Sequence, residues 1–166
     1  MRAQARRPVR CARASAAGRS SRASRTLVAL LALASSAAGA AAVRRAPGPL
    51  AGYPPGADVA VLTSDGSAVG PLYRLRVRGK YTAFDVYAEW CAPCRVVDAR
   101  LREIVAQRKD VAVRKLNVVN FDTPLARELG PRFDSLPYVV VFGPDGRRTE
   151  IMGADIPRLD AALGMP

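Results

Sequence analysis

The sequence predicts an α/β protein with a central mixed β-sheet flanked by helices on both faces. Two observations lead to this prediction. Between residues 81 and 119 a buried strand, an amphipathic helix and a second strand follow one another, and such a crossover places two parallel strands in one sheet. A short helix, a β-hairpin and a terminal helix then follow, and the hairpin adds antiparallel strands.

The first two elements predicted are short strands, VAVLT (59–63) and PLYRLRV (71–77), around the turn SDGS. In the second one, Leu75 and Val77 alternate with arginines. We interpret these arginines as the solvated face of an edge strand. A phosphate-binding stripe is the alternative, but no aromatic residues are interleaved to stack on bases.

The segment YTAFDVYA (81–88) is β-branched and aromatic, as is typical of a buried central strand. A helix is predicted over 91–107, since Val97, Leu101, Ile104 and Val105 recur at helical spacing. The next strand is VAVRKLNVV (111–119).

Three elements complete the predicted domain. They are a short helix capped by Asp122 or Thr123, a hairpin with strands at 137–142 and 147–153, and a terminal helix that begins near Asp155. The roughly 110 residues from Asp58 onward are enough for a single hydrophobic core.

The charge of +12 over 166 residues is concentrated at the N-terminus. Residues 1–42 hold eight of the 26 basic side chains and no acidic one, so residues 43–166 hold 18 basic and 14 acidic side chains, a net charge of +4. That is an ordinary surface charge. We therefore expect no nucleic-acid partner.

Residues 1–42 have the pattern of an export signal, because a basic stretch precedes the apolar segment 26–42, which contains the small residues Ala38-Gly39-Ala40. We expect an exported protein, periplasmic or secreted. A retained membrane anchor facing outward is one alternative, since the apolar run of about 18 residues approaches the length of a span. An organelle-lumen address is another, since the leader is long, Arg-rich and free of acids.

The segment 43–57 is rich in proline and glycine, which predicts an irregular linker before a domain at 58–166. The leader would take Cys11 with it, and the domain then holds two cysteines, Cys91 and Cys94. The chain has no histidine. Cys-His nucleophile pairs and His-containing metal sites are therefore excluded. We expect no zinc site, because zinc needs four ligands and the chain has neither a second cysteine pair nor a histidine.

The chemistry expected of Cys91 and Cys94 follows from their position between a strand and a helix. The first turn of a helix has unpaired N–H groups and the positive end of the macrodipole, which favour the thiolate. Cys94 follows one turn later and can attack a mixed disulfide formed on Cys91. A purely structural disulfide and a redox-inactive module are the alternatives, although so short a loop would stabilise the fold little.

The segment FDVYAEWCAPCR (84–95) resembles the active-site strand and helix start of the thioredoxin superfamily. KLNV (115–118), SLPYVVVF (135–142) and MGA (152–154) match later landmarks of that superfamily in order and spacing. The resemblance runs from about Lys80 to Leu163. It implies the thioredoxin fold and a protein-disulfide reductase activity.

The resemblance also implies the roles of individual residues. Cys91 would be the nucleophile and Cys94 the resolving thiol. Asp85 would be the buried carboxylate that takes the proton of Cys94, a role that suits the raised pKa of a buried acid. Lys115 matches the lysine beside that carboxylate, and Pro137 matches a cis-proline facing the disulfide. The implied substrate groove is lined by Trp90, Ala92, Pro93, Ser135, Leu136, Met152, Gly153 and Ala154.

The sequence departs from the family pattern at three places. Ala92 replaces the usual glycine between the cysteines, and Ala99 stands where many members have a kinking proline. The predicted two-stranded segment 59–77 replaces an N-terminal strand and helix.

The absence of histidine between the cysteines favours a reductase over a strong oxidant. On the scale of reduction potentials it indicates a value toward the thioredoxin end, about −270 mV, and away from the strong-oxidant end, about −120 mV. The expected partners are protein disulfide substrates and an upstream thiol donor, membrane-bound or soluble, with a membrane contact only if the N-terminal segment is retained. No cofactor beyond the Cys91–Cys94 disulfide and no metal is expected. A disulfide-forming oxidase of the same fold and a non-catalytic binding module remain the alternatives.

Overall fold

The structure, a computed structural model, describes residues 48–131 and 133–166. The strands in this part of the chain are β1 (Asp58–Thr63), β2 (Tyr81–Tyr87), β3 (Val111–Asn117), β4 (Tyr138–Phe142) and β5 (Arg148–Met152). The helices are α1 (Leu72–Leu75), α2 (Cys94–Gln107), α3 (Pro124–Leu129) and α4 (Ile156–Ala162).

The five strands form one mixed sheet in the order β1-β3-β2-β4-β5. β3 runs parallel to both β1 and β2, while β4 is antiparallel to β2 and to β5. The prediction of a mixed sheet is thereby confirmed. β2 is the central strand and is hydrogen-bonded on both sides. The loop that follows β2 is therefore anchored to the middle of the sheet.

Helices cover both faces of the sheet, as the sequence predicts. On one face Phe84 and Val86 of β2 pack with Leu125 of α3 in a cluster that α1 also joins. On the other face Ala83 of β2 packs with Leu101 of α2 and Leu159 of α4. The alternation of side chains along β2 directs consecutive residues to opposite faces. It therefore also directs Asp85, two residues after Ala83, toward the face covered by α2.

The prediction of a strand at 71–77 is wrong: residues Leu72–Leu75 form the short helix α1. Gly70 has a φ of +81°, which breaks the extended chain, and Pro71 then begins a turn with its fixed φ. Leu72 and Leu75, which are three residues apart, both pack on the α3 face of the sheet. The segment thus contains two patterns at once: Leu75 and Val77 alternate with arginines, and Leu72 and Leu75 have a helical spacing.

The predicted helix at 91–107 begins later than expected, at Cys94, with Pro93 as its N-cap residue. Proline has no N–H and is common at the start of a helix. The remaining helices begin where predicted, since Thr123 accepts a hydrogen bond from the N–H of Ala126 and Asp155 accepts one from the N–H of Arg158.

Residues 48–57 form turns without a helix or strand. Within this segment Tyr53 and Ala57 pack against the cluster under α2, so the Pro/Gly-rich stretch contributes side chains to the domain. The predicted leader at 1–42 and the first residues of the predicted linker lie outside the described residues. Among the residues described, no helix has the length and apolarity needed to cross a bilayer.

Candidate active site

The two cysteines of the site lie at the start of α2 and form a disulfide. Cys91 and Cys94 are joined by an S–S bond of 2.03 Å, and each side chain is only 4% exposed. The backbone N–H of Cys94 donates to Sγ of Cys91 at 3.1 Å. An N–H group of the helix start is thus directed at the sulfur that the sequence predicts to be the nucleophile, and it would stabilise negative charge there.

A buried carboxylate and a buried ammonium form an ion pair between β2 and β3. Asp85 on β2 and Lys115 on β3 are direct neighbours in the parallel register, and Nζ of Lys115 donates to Oδ2 of Asp85 at 2.6 Å. Their exposed fractions are 0% and 2%. Oδ1 of Asp85 is buried and accepts no hydrogen bond from any residue that the structure describes. That oxygen is consequently free to take up a proton.

Lys115 also binds a second carboxylate. Its Nζ donates to Oδ1 of Asp98 at 2.6 Å, and Asp98 lies on α2, one turn after Cys94. The hydroxyl of Tyr53 donates to the same oxygen at 2.8 Å, while Arg102 forms an ion pair with Oδ2. The site is therefore a cluster of two acids and two bases, with Tyr53 closing its outer side.

Burial and these neighbours determine the charge states of the cluster. Burial raises the pKa of Asp85, although the Lys115 ammonium opposes the rise. For Lys115, burial alone would lower the pKa, but Asp85 and Asp98 together outweigh it and the pKa is raised. Because Asp98 is one of these two acids, Lys115 keeps a second side-chain partner when Asp85 is protonated.

We predict that Asp85→Asn makes the stability of the oxidised protein less dependent on pH. A raised pKa in the folded state means that the folded chain keeps a proton that the unfolded chain releases above about pH 4. The wild type should then lose up to about 1.4 kcal/mol of unfolding free energy per pH unit, as the pH rises from there toward the pKa of folded Asp85. Urea unfolding between pH 4 and 8 measures this. A difference in unfolding free energy between variant and wild type that stays constant with pH would contradict the prediction.

A cleft of about 590 Å³ borders this cluster. Cys91 and Cys94 line it together with Asp98 and Lys115, and so do four residues of the turn segment: Gly48, Pro49, Ala51 and Gly52. The size falls within the range of small-ligand pockets. The disulfide and the buried cluster are accordingly linked through one common space.

An apolar rim surrounds the disulfide on the side of the β3–α3 loop. Trp90 is 60% exposed, and its indole N–H donates to the carbonyl oxygen of Val119 at 2.7 Å. Its ring lies 6.1 Å from that of Phe121, which in turn lies 5.3 Å from that of Phe133. Val119 and Phe121 are also exposed, so the surface beside the cysteines is apolar.

Val119 has a φ of +63°, a conformation that is unfavourable for a β-branched residue. We predict that Val119→Asn raises the unfolding free energy by about 1 kcal/mol, because asparagine tolerates this conformation. The carbonyl that accepts from Trp90 is retained in the variant. Thermal unfolding measures the change, and a lower melting temperature would show that the contacts of the valine side chain outweigh the backbone strain.

The structure places the remaining predicted residues on three loops and at the end of β5. The Leu136–Pro137 peptide bond is cis, in agreement with the resemblance, and Leu136 packs on the cluster that contains both cysteines. The carbonyl of Pro137 accepts from the N–H of Gly153 at 2.8 Å, and Met152 pairs with Tyr138 in the sheet. Ala92, Pro93 and Ala154 are exposed. Ser135 donates its hydroxyl to Asp134 at 3.0 Å.

Sequence reasoning missed Asp98 and Tyr53. Asp98 follows Cys94 by four residues, the spacing at which side chains share one face of a helix, and this spacing was a signal available in the sequence. Tyr53 gave no such signal, because it lies in a Pro/Gly-rich stretch 45 residues before Asp98. Only the folded chain brings the two together.

A mixed sheet of this order, with a Cys-X-X-Cys disulfide at the start of the helix that follows its central strand, defines the thioredoxin fold. The thioredoxin family model matches residues 75–160. Since these residues are more than half of the sequence, the chain belongs to the thioredoxin family.

Relatives of this chain include organellar thioredoxins. Thioredoxin F2, chloroplastic, from Arabidopsis thaliana is 31% identical over 84 residues, which are 51% of this chain and 44% of that protein. Thioredoxin-2, mitochondrial, from Schizosaccharomyces pombe is 29% identical over 92 residues, which are 55% of this chain and 67% of that protein. The matched part thus spans about half the length of the chloroplast relative.

A solved structure has a similar fold. In the complex of ferredoxin: thioredoxin reductase and thioredoxin f2, the matching chain is 27% identical, with a TM-score of 0.50 over 65% of this chain and 94% of that chain.

Proposed function

We propose that this chain is a thiol-disulfide oxidoreductase that reduces disulfides of protein substrates through Cys91 and Cys94. The observation that carries the proposal is the disulfide at the start of α2, backed by the buried Asp85–Lys115 pair. This combination supplies a nucleophile, a resolving thiol and a proton acceptor. The redox group is part of the chain itself, and the proposal involves no separate cofactor.

The proposed reaction has two exchange steps. In the reduced protein the Cys91 thiolate attacks a substrate disulfide, which forms a mixed disulfide and releases the first substrate thiolate. Cys94 then loses its proton to Asp85 and attacks Sγ of Cys91, which releases the second substrate sulfur and forms the Cys91–Cys94 disulfide. Two electrons pass from the dithiol to the substrate, and the free Oδ1 of Asp85 is the proposed site of proton uptake.

The proposed substrate surface is the apolar rim together with the cis-proline loop. Trp90 and Met152 expose 60% and 52% of their surfaces. In the proposal the backbone of Leu136, which precedes the cis-proline, pairs with an extended substrate strand, in the manner of strand addition. Ala92, Pro93, Ser135, Gly153 and Ala154 complete this surface in the proposal.

Reduction of insulin disulfides by the wild-type protein with dithiothreitol tests the activity. Equilibration with glutathione buffers tests the direction, and we expect a midpoint near the thioredoxin end of the scale, about −270 mV. A midpoint above about −150 mV would contradict the reductase and favour the oxidase. Absence of any exchange with insulin would leave a binding module as the better account.

We further propose that the chain works in a compartment reached across a membrane and receives electrons from a separate thiol donor. The Arg- and Ser-rich leader before an apolar segment supports the first part, and an organelle lumen is consistent with the names of the chloroplastic and mitochondrial relatives. An exported location rests on the leader alone. A reporter protein fused to residues 1–57 would distinguish these destinations and would reveal a retained anchor.

A further inference from the structure

The ammonium of Lys115 lies between two carboxylates at equal distance. Its Nζ is 2.6 Å from Oδ2 of Asp85 and 2.6 Å from Oδ1 of Asp98. One positive charge therefore neutralises two acids on different elements, β2 and α2. The proposed reaction uses Asp85 as the proton acceptor and gives no role to Asp98.

Asp98 is held in this position from three sides. Besides Lys115, Tyr53 donates its hydroxyl to Oδ1 at 2.8 Å and Arg102 pairs with Oδ2. The guanidinium of Arg102 lies over the ring of Tyr53, 5.5 Å from its centroid. Next to it, Gly52 has a φ of +84°, and a Cβ there would lie 3.1 Å from Nη1 of Arg102. Gly52 and Tyr53 of the segment 48–57 thus pack against the carboxylate and its arginine.

We propose that Asp98, held by Tyr53 and Arg102, is a positioning residue for disulfide exchange: it takes a share of the Lys115 ammonium away from Asp85 and so keeps Asp85 able to accept and return a proton. This inference rests on the proposed function for the role of Asp85. It assigns to the segment 48–57 a part in the redox site, since that segment supplies Tyr53.

If Lys115 paired with Asp85 alone, it would hold the buried carboxylate in its charged form and make it a poor proton acceptor. Asp98 weakens that pairing and also repels the charge on Asp85, and both effects favour the protonated form of Asp85. In a buried site, where water screens little, a neighbouring charge shifts a titration by about one to three pH units.

Other charged and titratable groups near the cluster lie on β2, on the loop after β2 and on α2. Tyr87 on β2 lies under Lys115, with its ring centroid 4.4 Å from Nζ, and Glu89 follows β2 at the cleft wall. Arg95 on α2 and the two cysteines line the same cleft. None of these groups is changed by the substitutions that follow, so the substitutions isolate the contribution of Asp98.

Carbon-13 NMR of the aspartate carboxyl groups in the reduced full-length protein measures the titration midpoint of Asp85 directly. We expect Asp98→Asn to lower this midpoint by about one pH unit. Arg102→Gln should raise it, because Asp98 then loses a compensating cation and attracts Lys115 more strongly. Asp160→Asn is the matched control: it removes the same charge from a pair with Arg100 (2.9 Å) that lies outside the cleft, and it should leave the midpoint unchanged.

The pH dependence of insulin reduction should shift in the same directions as the midpoints. An unchanged or raised midpoint of Asp85 in Asp98→Asn would overturn the proposal. A lowered midpoint in Arg102→Gln would overturn it as well. This second variant therefore tests the proposal even if Asp98→Asn does not fold. If the wild type fails to reduce insulin at any pH, the proposed function fails instead, while the NMR titration still decides the role of Asp98.

Discussion

Replacing Cys91 by serine is expected to lower the rate of insulin reduction by about 10³-fold or more, because a hydroxyl replaces the sulfur that attacks the substrate disulfide in the proposed mechanism. The fold should remain, since Cys91 contributes one of many buried side chains and its short disulfide loop stabilises the chain little. The turbidity of reduced insulin measures the rate. Urea unfolding of the same sample verifies that the variant is folded.

Cys94→Ser should behave differently from Cys91→Ser. Its Cys91 can still attack a substrate, but no second thiol resolves the product, so mixed disulfides should accumulate. Mass spectrometry of captured proteins would identify the clients. Cys11→Ser removes the third cysteine of the chain and serves as the control, with full activity expected. Equal activity of Cys91→Ser and the wild type would refute the nucleophile assignment.

Lys115→Met is expected to lower the unfolding free energy by about 3 kcal/mol at pH 8, because removing one partner of a buried ion pair leaves an uncompensated charge. Two carboxylates, Asp85 and Asp98, would then face each other without the ammonium that joins them. The pKa of Asp85 should rise further, since the cation that lowers it is lost. Stability that depends on the protonated acid is lost as the pH rises, so the destabilisation should be smaller at pH 5.

Urea unfolding at pH 5 and pH 8 measures both parts of this prediction. Lys80→Met is the matched control, since Lys80 pairs with Asp58 at 2.8 Å near the surface, where both side chains are about one-third exposed. It should cost less than about 1 kcal/mol at either pH. Equal losses for the two variants would show that Lys115 acts as an ordinary surface ion pair. If Lys115→Met lost the same unfolding free energy at both pH values, the titration of Asp85 would not depend on Lys115.

Much of the fold could be predicted because the strands and helices have strong local patterns. The apolar run at 81–88 and the helical spacing from Val97 to Val105 predict β2 and α2, since burial on one face requires such periodicity. The strand predicted at 71–77 is wrong because Leu75 and Val77 alternate with arginines as in a strand, while Leu72 and Leu75 have a helical spacing. Gly70 and Pro71 decide between the two, and their effect depends on the chain around them.

Sequence alone determined which chemical groups this protein has: a Cys-X-X-Cys pair at a strand–helix junction, no histidine, and an acid and a lysine on neighbouring strands. Local patterns predict the strands and the helix that carry these groups, and the resemblance to the thioredoxin superfamily implies that the acid and the lysine lie side by side. Tertiary structure alone decided that Lys115 joins Asp85 to Asp98 and that Tyr53 reaches Asp98 from a segment 45 residues earlier. Contacts between residues so distant in sequence depend on how β2, β3, α2 and the segment 48–57 pack against one another, and no periodicity along the chain encodes that packing.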